Sequence, residues 1–157
     1  HLSGEVFPSL VSSEVLSNLI YGPSYISFES ALRYHDWIPE SVPNCLCVTN
    51  LRPREFETVH GKFSYVMVKQ SPMMAGVLCI DDGQGPFFMA TPLKALADMV
   101  ASRGLDWTEC RPLVESLRIE PDELEGLTVE DFEMLDGVYY SKRARDFLAG
   151  IRRELQV

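Results

Sequence analysis

The stretch EFETVHGKFSYVMV, residues 55–68, decides the fold class. Hydrophobic and polar side chains alternate on both sides of His60-Gly61, and a period of two is typical of β-strands. Two such runs around a residue pair that ends in glycine predict a β-hairpin, with strands at 55–59 and 62–68 and His60 in the turn. The middle of the chain is therefore predicted to be β-structure.

Further strands are predicted on both sides of this hairpin. Residues 45–49 form a short hydrophobic run before it, and residues 76–80 and 87–90 form two more after it. The last two runs are separated by residues 81–86, which are rich in Asp, Gly and Pro and are typical of a turn. These segments predict a small antiparallel sheet that spans about residues 45–90.

Helices are predicted before and after the sheet, because hydrophobic residues recur there at helical spacing. The predicted helices are residues 8–20, 27–37, 92–102, 108–117, 128–135 and 141–155. Ser27 and Thr91 are good N-caps, and Pro92 suits the first helical position. The order of helices, strands and again helices predicts a single α+β domain over residues 1–157.

The charge of the chain restricts what it can bind. The 157 residues hold 14 Lys and Arg against 23 Asp and Glu, which gives a net charge of −9. Because phosphate binding needs a cationic surface, the chain as a whole is not expected to bind nucleic acid. The charge is uneven: residues 105–137 hold two arginines against eleven carboxylates, whereas residues 138–157 hold five cations against two carboxylates.

The sequence predicts a cytoplasmic protein without membrane contact. No hydrophobic run approaches the ~20 residues of a membrane-spanning helix, and residues 1–5 lack the features of a signal peptide. Since the chain does not begin with Met, we expect it to be part of a longer protein. Cys45 and Cys47 lack the Cys-x-x-Cys spacing of common zinc sites, so the four cysteines are predicted to be reduced and mostly buried, with a metal site or a disulfide as the alternative.

The sequence contains no convincing active site. It has no Gly-rich phosphate loop and no Gly-x-Ser-x-Gly motif, and its three histidines are scattered. Lys94 with Glu55, Asp81 and Asp82 has the residue types of a restriction-type nuclease, which needs clustered acids, a metal and a lysine. The simpler interpretation is a surface pair between Lys94 and Asp98, four residues apart on one helix. We therefore predict no catalytic residue, no cofactor site and no metal site.

Two features of the first half have simple structural interpretations. Glu29 lies in the first turn of a predicted helix, where a negative charge is favoured by the helix dipole. His35 lies on the hydrophobic stripe of the same helix, so it is predicted to be a hydrogen-bonded histidine in the core or at its boundary.

Two groups of cations are candidates for binding a partner. Arg52 and Arg54 flank Pro53 in a loop beside the sheet and suit a phosphate or an acidic partner. In the last predicted helix, one side is hydrophobic and carries Phe147, Leu148 and Ile151. Lys142, Arg145 and Arg152 fall on the opposite side and suit an acidic partner or RNA. The alternative for both groups is a solvated surface, with no partner.

Three segments, taken together, resemble the C-terminal domain of AbiEi-type antitoxins. They are residues 24–32 (SYISFESAL), residues 49–65 and residues 90–98 (ATPLKALAD), and the resemblance covers about residues 8–105. Proteins of that family are transcriptional regulators of bacterial abortive-infection, or type IV, toxin–antitoxin systems, which defend against phage. In them an N-terminal winged helix binds operator DNA, and the following domain carries the antitoxin activity.

The resemblance implies a regulatory domain that is not an enzyme. Its partner would be a nucleotidyltransferase-like toxin, which it antagonises, and operator DNA would be contacted only through an upstream winged helix. This chain begins where the winged helix of the family would already have ended, so DNA recognition is not expected of residues 1–157. The alternatives are the metal-dependent nuclease described above and a plain protein-interaction module.

Overall fold

The computed structural model describes residues 11–157. The first described helix, α1, is Ser13–Ile20, and Ser12 caps it by accepting a hydrogen bond from the N–H of Val15 at 3.2 Å. This helix was predicted to begin at Pro8, which lies outside the described residues.

A six-stranded sheet forms the centre of the protein. Its strands are β1 (Ser24–Ile26), β2 (Cys45–Thr49), β3 (Arg54–Thr58), β4 (Gly61–Met67), β5 (Val77–Asp81) and β6 (Pro86–Ala90). They lie in the order β3-β4-β2-β1-β6-β5. The pairs β1–β2, β3–β4 and β5–β6 are antiparallel, whereas β2–β4 and β1–β6 are parallel.

The predicted α+β class is confirmed, but the sheet is mixed and only mostly antiparallel, and it extends beyond the predicted span of 45–90. Strand β1 adds residues 24–26 and lies between β2 and β6, near the middle of the sheet. All three of its residues are buried, so the strand shows no alternation of hydrophobic and polar side chains, and three residues are too few to show a period. A central element of the sheet was thus missed.

The predicted hairpin is confirmed, with its turn one residue earlier. Thr58 pairs with Gly61, which leaves Val59 and His60 as a two-residue turn. Gly61 has a φ of 108°, a conformation that side chains with a Cβ rarely adopt. The glycine of the predicted motif is therefore needed for the backbone geometry at the start of β4.

Six further helices are described: α2 (Phe28–Tyr34), α3 (Pro92–Arg103), α4 (Arg111–Leu117), α5 (Pro121–Glu125), α6 (Val129–Glu133) and α7 (Lys142–Leu155). All but α5 were predicted, although α2, α4 and α6 are shorter than expected. Helix α3 packs against both α2 and α7 and contributes a large part of the core. Within the described part of the chain, none of these helices is long and hydrophobic enough to cross a membrane.

Candidate functional site

Lys94 and Asp98 lie inside the protein. They are the only polar residues of α3 between Leu93 and Val100, and both are completely buried. Lys94 Nζ lies 4.0 Å from Asp98 Oδ1. The prediction of a surface pair is therefore wrong. This part of α3 is hydrophobic on every side except at these two positions, so it packs as a buried helix. The side chains of Lys94 and Asp98 are therefore buried with it.

Asp98 accepts three hydrogen bonds from hydroxyl groups. Tyr25 Oη and Ser27 Oγ donate to Oδ2 at 2.9 and 2.7 Å, and Tyr139 Oη donates to Oδ1 at 2.7 Å. Ser27 does precede α2, as its predicted role as N-cap requires, but its side chain makes no capping hydrogen bond to that helix. The Ser27 hydroxyl donates to the Asp98 carboxylate instead.

Lys94 is held by a second set of contacts. Its Nζ donates to Gln70 Oε1 at 2.5 Å and to Tyr139 Oη at 3.4 Å, and Gln70 Nε2 donates to Tyr25 Oη at 2.8 Å. Nζ also lies 5.3 and 5.0 Å from the ring centres of Tyr25 and Tyr139, within the range of a cation–π interaction. We call these six residues the Asp98 cluster: Tyr25, Ser27, Gln70, Lys94, Asp98 and Tyr139.

Burial controls the ionisation of the Asp98 cluster. Removal from water raises the pKa of Asp98, and Lys94 and the three hydroxyl donors offset this only in part. Removal from water also lowers the pKa of Lys94, against the attraction of Asp98. Burial and the charge of Asp98 raise the pKa of Tyr25 and Tyr139 well above the ordinary value, so both phenols remain hydrogen-bond donors at neutral pH.

The Asp98 cluster is suited to holding the fold together. Five of its six residues are buried, so they present almost no surface to a substrate: Tyr25, Ser27, Lys94, Asp98 and Tyr139. Its members come from β1, the residue before α2, the segment after β4, α3 and the segment before α7. Its hydrogen bonds therefore join elements that are distant in sequence.

The structure does not bring together the residues of the nuclease alternative. Glu55 pairs with Lys62 across the β3–β4 hairpin at 3.2 Å, whereas Lys94 is buried and bonded to Gln70. Asp81 and Asp82 accept hydrogen bonds from backbone N–H groups of the turn between β5 and β6. Among residues 11–157, no three His, Cys, Asp or Glu side chains are grouped so that they could hold a metal ion.

Glu29 and His35 connect α2 to its neighbours. Both carboxylate oxygens of Glu29 accept hydrogen bonds at 2.7 Å from Arg103, at the end of α3. This is a bidentate pair, which is stronger than a contact with the helix dipole alone. The ring of His35 is half-buried and its Nε2 lies 2.9 Å from the carbonyl oxygen of Ala90, which confirms the prediction of a hydrogen-bonded boundary histidine.

The four cysteines are free thiols, but only two of them are buried, fewer than predicted. Cys47 and Cys110 are buried, Cys45 is half-buried and Cys79 is exposed. The Sγ atoms of Cys45 and Cys47 are 3.9 Å apart on β2. Burial, and then the neighbouring Cys45, raises the pKa of Cys47 well above the ordinary value, which makes that thiol a poor nucleophile.

Arg52 lies in the predicted loop, but Arg54 does not: it is the first residue of β3, an outer strand of the sheet, and pairs with Tyr65. Both arginines are exposed. The guanidinium carbon of Arg54 lies 4.9 Å from the ring centre of Phe56 and 5.6 Å from that of Tyr21. The hydroxyl of Tyr21 donates to the backbone carbonyl of Arg52 at 2.9 Å. Tyr21 thus contacts both the loop at Arg52 and the start of β3, and both arginines are at the surface.

Helix α7 has the two predicted sides. Phe147 and Ile151 are completely buried and Leu148 is half-buried, whereas Lys142 and Arg145 are exposed. Arg152, which was expected to face outward, is only half-exposed, because its guanidinium lies over the ring of Phe132 at 6.0 Å. Two of the three predicted cations, Arg145 and Arg152, also line a groove between α6 and α7.

Sequence reasoning missed Tyr25, Gln70 and Tyr139 as partners of Lys94 and Asp98. One signal was available: in the run LKALADMV, residues 93–100, the two charged residues are four apart in an otherwise hydrophobic helix, which indicates a buried pair. No comparable signal identifies Gln70 and Tyr139. They lie outside the named strands and helices and meet through an isolated β-bridge.

Comparisons with protein-family models, with curated proteins and with solved structures gave no match to this chain.

Proposed function

We propose that this chain is the antitoxin and regulatory domain of an AbiEi-like abortive-infection toxin–antitoxin system. It antagonises a nucleotidyltransferase-like toxin, and in the full-length protein an upstream winged helix binds operator DNA and represses the operon. The proposal includes a cytoplasmic location, a role in phage defence and the absence of enzymatic activity.

The contact between two segments of the AbiEi-like pattern is the observation that supports this proposal most. Residues 24–32 supply Tyr25 and Ser27, residues 90–98 supply Asp98, and both hydroxyl groups donate to that carboxylate. The third segment, residues 49–65, contains the β3–β4 hairpin of the same sheet. The residues that carry the resemblance thus belong to one structural unit, as expected if they were retained together.

The nuclease alternative has less support. A metal-dependent nuclease needs its lysine beside clustered acids and within reach of the substrate. Lys94 is completely buried and bonded to Gln70 and Asp98. The carboxylates that would hold the metal are occupied elsewhere, Glu55 in an ion pair and Asp81 in a turn.

Co-expression tests the proposed function. The chain is produced in a bacterial host together with the nucleotidyltransferase-like reading frame that the proposal places beside its gene. We expect the toxin alone to stop growth and the toxin with this chain to allow it. A toxin variant without its catalytic carboxylates controls for the burden of expression.

Two results would refute the proposal. One is a gene neighbourhood without any nucleotidyltransferase-like reading frame. The other is growth arrest that persists although the chain accumulates in folded form. Mg²⁺- or Mn²⁺-dependent cleavage of DNA or RNA by the purified chain, lost in Lys94→Ala or Asp81→Ala, would favour the nuclease instead.

A further inference from the structure

A groove of about 210 Å³ lies between α6 and α7. The residues Phe132, Leu135 and Leu148 give it a hydrophobic lining, and Arg145 and Arg152 stand beside them. Phe132 and Leu135 are buried members of the core, so the lining is a fixed part of the fold. The groove therefore combines a rigid hydrophobic surface with two cations.

Neither arginine forms an ion pair with an Asp or Glu side chain of the described residues. The guanidinium group of Arg145 donates to the backbone carbonyls of Tyr139 and Tyr140, at 3.3 and 2.6 Å. Arg152 donates to a main-chain oxygen of Val157 at 3.3 Å. By contrast, Lys142 on the same helix pairs with Asp146 at 2.6 Å.

Main-chain oxygens hold these arginines in place, and no Asp or Glu side chain of the described residues neutralises them. Both arginines therefore stand beside the hydrophobic groove in a chain with a net charge of −9. Seven residues separate them on α7, which places them two turns apart, about 10 Å along the helix axis. Asp136 is the one carboxylate that lines the groove.

We propose that this groove binds an acidic segment of a partner protein. One large hydrophobic side chain of the segment enters the groove against Phe132, Leu135 and Leu148, and carboxylates on either side of it pair with Arg145 and Arg152. Arginine suits this role because its guanidinium group binds a carboxylate through two hydrogen bonds. This inference goes beyond the proposed function and holds whether or not the partner is a toxin.

An acidic protein segment fits the groove better than RNA does. RNA binding relies on a cationic stripe along the backbone and on aromatic faces that stack with bases. Here two cations stand in a strongly acidic protein, and most of the hydrophobic lining is aliphatic. A carboxylate–hydrophobic–carboxylate pattern matches both parts of the surface.

Selection from a random 12-residue peptide library displayed on phage tests the inference. We expect the immobilised chain to enrich peptides that carry Asp or Glu on both sides of a Leu, Phe, Trp or Met. Synthetic versions of the enriched peptides should bind with dissociation constants of about 10–100 μM, as is common for a contact of this size. Binding should weaken when NaCl is raised from about 50 to about 300 mM, because exposed charges are screened.

Charge variants locate the binding surface. In Arg145→Glu/Arg152→Glu the affinity should fall at least about tenfold, since two attractive contacts become repulsive. Arg143→Glu/Arg153→Glu is the matched control: it makes the same charge change on the same helix at exposed positions outside the groove, and it should bind nearly as wild type. If the first variant does not fold, Arg145→Gln/Arg152→Gln replaces it, with a smaller but clear loss expected.

Three outcomes would overturn the inference: no enriched motif, enrichment of basic peptides, or equal binding by the wild-type and charge-reversed proteins. Displacement of the peptides by a single-stranded uridine oligonucleotide, with tighter binding of that oligonucleotide, would identify an RNA site instead. The peptide experiment needs no toxin. Peptide binding without growth rescue would refute only the proposed function, and rescue without peptide binding would refute only the groove.

Discussion

Asp98 is the residue on which the interior depends most. It accepts hydrogen bonds from Tyr25, Ser27 and Tyr139 and faces Lys94 at 4.0 Å, with no exposed surface of its own. A buried ion pair gains little over a hydrophobic pair, but removal of one partner leaves the other charge uncompensated. The two charges are also unequally supported, because Lys94 makes fewer hydrogen bonds than Asp98 receives.

Substitutions at these two positions should therefore differ in cost. Asp98→Ala leaves a buried ammonium group and three hydroxyls without their acceptor, and we expect a loss of about 3–5 kcal/mol in the free energy of unfolding. Lys94→Met leaves Asp98 with its three donors and should cost less, about 1–2 kcal/mol. Urea denaturation followed by circular dichroism measures both. If Lys94→Met lowered the free energy of unfolding as much as Asp98→Ala or more, this prediction would be wrong.

The Glu29–Arg103 pair gives a prediction for pH. Burial opposes ionisation of Glu29, but the hydrogen bonds and charge of Arg103 prevail and lower its pKa below the ordinary 4.5. Such a group stabilises the folded state above its ordinary pKa, and this stabilisation is lost as the pH falls through the lowered value. Glu29→Gln should therefore lower the free energy of unfolding by about 0.5–1 kcal/mol at pH 7 and leave it unchanged at strongly acidic pH. The effect is small because the side chains of Glu29 and Arg103 are both partly exposed.

Denaturation of wild type and Glu29→Gln across the acidic range checks this prediction. Glu115→Gln is the control, because the Arg111–Glu115 pair is largely exposed on one helix and should contribute less than about 0.5 kcal/mol. A difference between wild type and Glu29→Gln that stays constant down to about pH 2 would show that the charge is not responsible.

At the scale of elements, α7 is fixed to the body by a close contact as well as by hydrophobic burial. Gly150 faces the backbone of Thr108, and a Cβ atom at this position would overlap the Thr108 carbonyl group. Phe147 and Ile151, on the same side of the helix, are completely buried. A glycine inside a helix normally weakens it, so here its cost in the helix is offset by the closer packing that it permits.

Gly150→Ala should be destabilising, against the usual effect of alanine in a helix. We expect a loss of about 1–3 kcal/mol, since the clash with a backbone group exceeds the gain of about 1 kcal/mol in helix propensity. Gly126→Ala is the matched control: this glycine is exposed, has an ordinary φ of −77° and should tolerate or gain from the change. Equal thermal midpoints for both variants would show that the contact with Thr108 relaxes without cost.

The elements differ in how far the sequence reveals them. The β3–β4 hairpin and helices α3 and α7 are recognisable because each has a full period of hydrophobic residues and a clear turn or cap. Strand β1 is three buried residues, and α5 (PDELE) is a five-residue helix in which Leu124 alone is buried, so neither shows a period. Only part of the Asp98 cluster can be predicted from the sequence. The four-residue spacing of Lys94 and Asp98 is a local pattern, whereas Gln70 and Tyr139 are distant from them in sequence and are brought close only by the fold.

At the scale of the whole molecule, charge decides which partners are accessible. The chain carries a net charge of −9, and its cations are mostly paired or dispersed over the surface of the described residues. A phosphate backbone would therefore be repelled by the protein as a whole, whatever a single arginine contributes. The proposed function accordingly assigns operator binding to an upstream winged helix and not to these 157 residues.

DNA binding by the chain itself should be weak and without sequence preference. In fluorescence anisotropy at about 0.15 M salt, we expect dissociation constants no tighter than about 100 μM for any duplex. A fusion to a basic winged helix is the informative control, because it should restore binding without altering this domain. Nanomolar, sequence-specific binding by residues 1–157 alone would contradict the prediction.

The position of Tyr139 has a consequence for synthesis on the ribosome. When residues up to about Asp98 have left the exit tunnel, the carboxylate can meet Tyr25 and Ser27, but its third donor has not yet emerged. Lys94 also lacks its hydrogen bond to the Tyr139 hydroxyl at this stage, and the isolated β-bridge between Gln70 and Tyr139 has not yet formed. We therefore expect the hydrogen bonds of the Asp98 cluster to be incomplete in the nascent chain until Tyr139 has been synthesised and has left the tunnel.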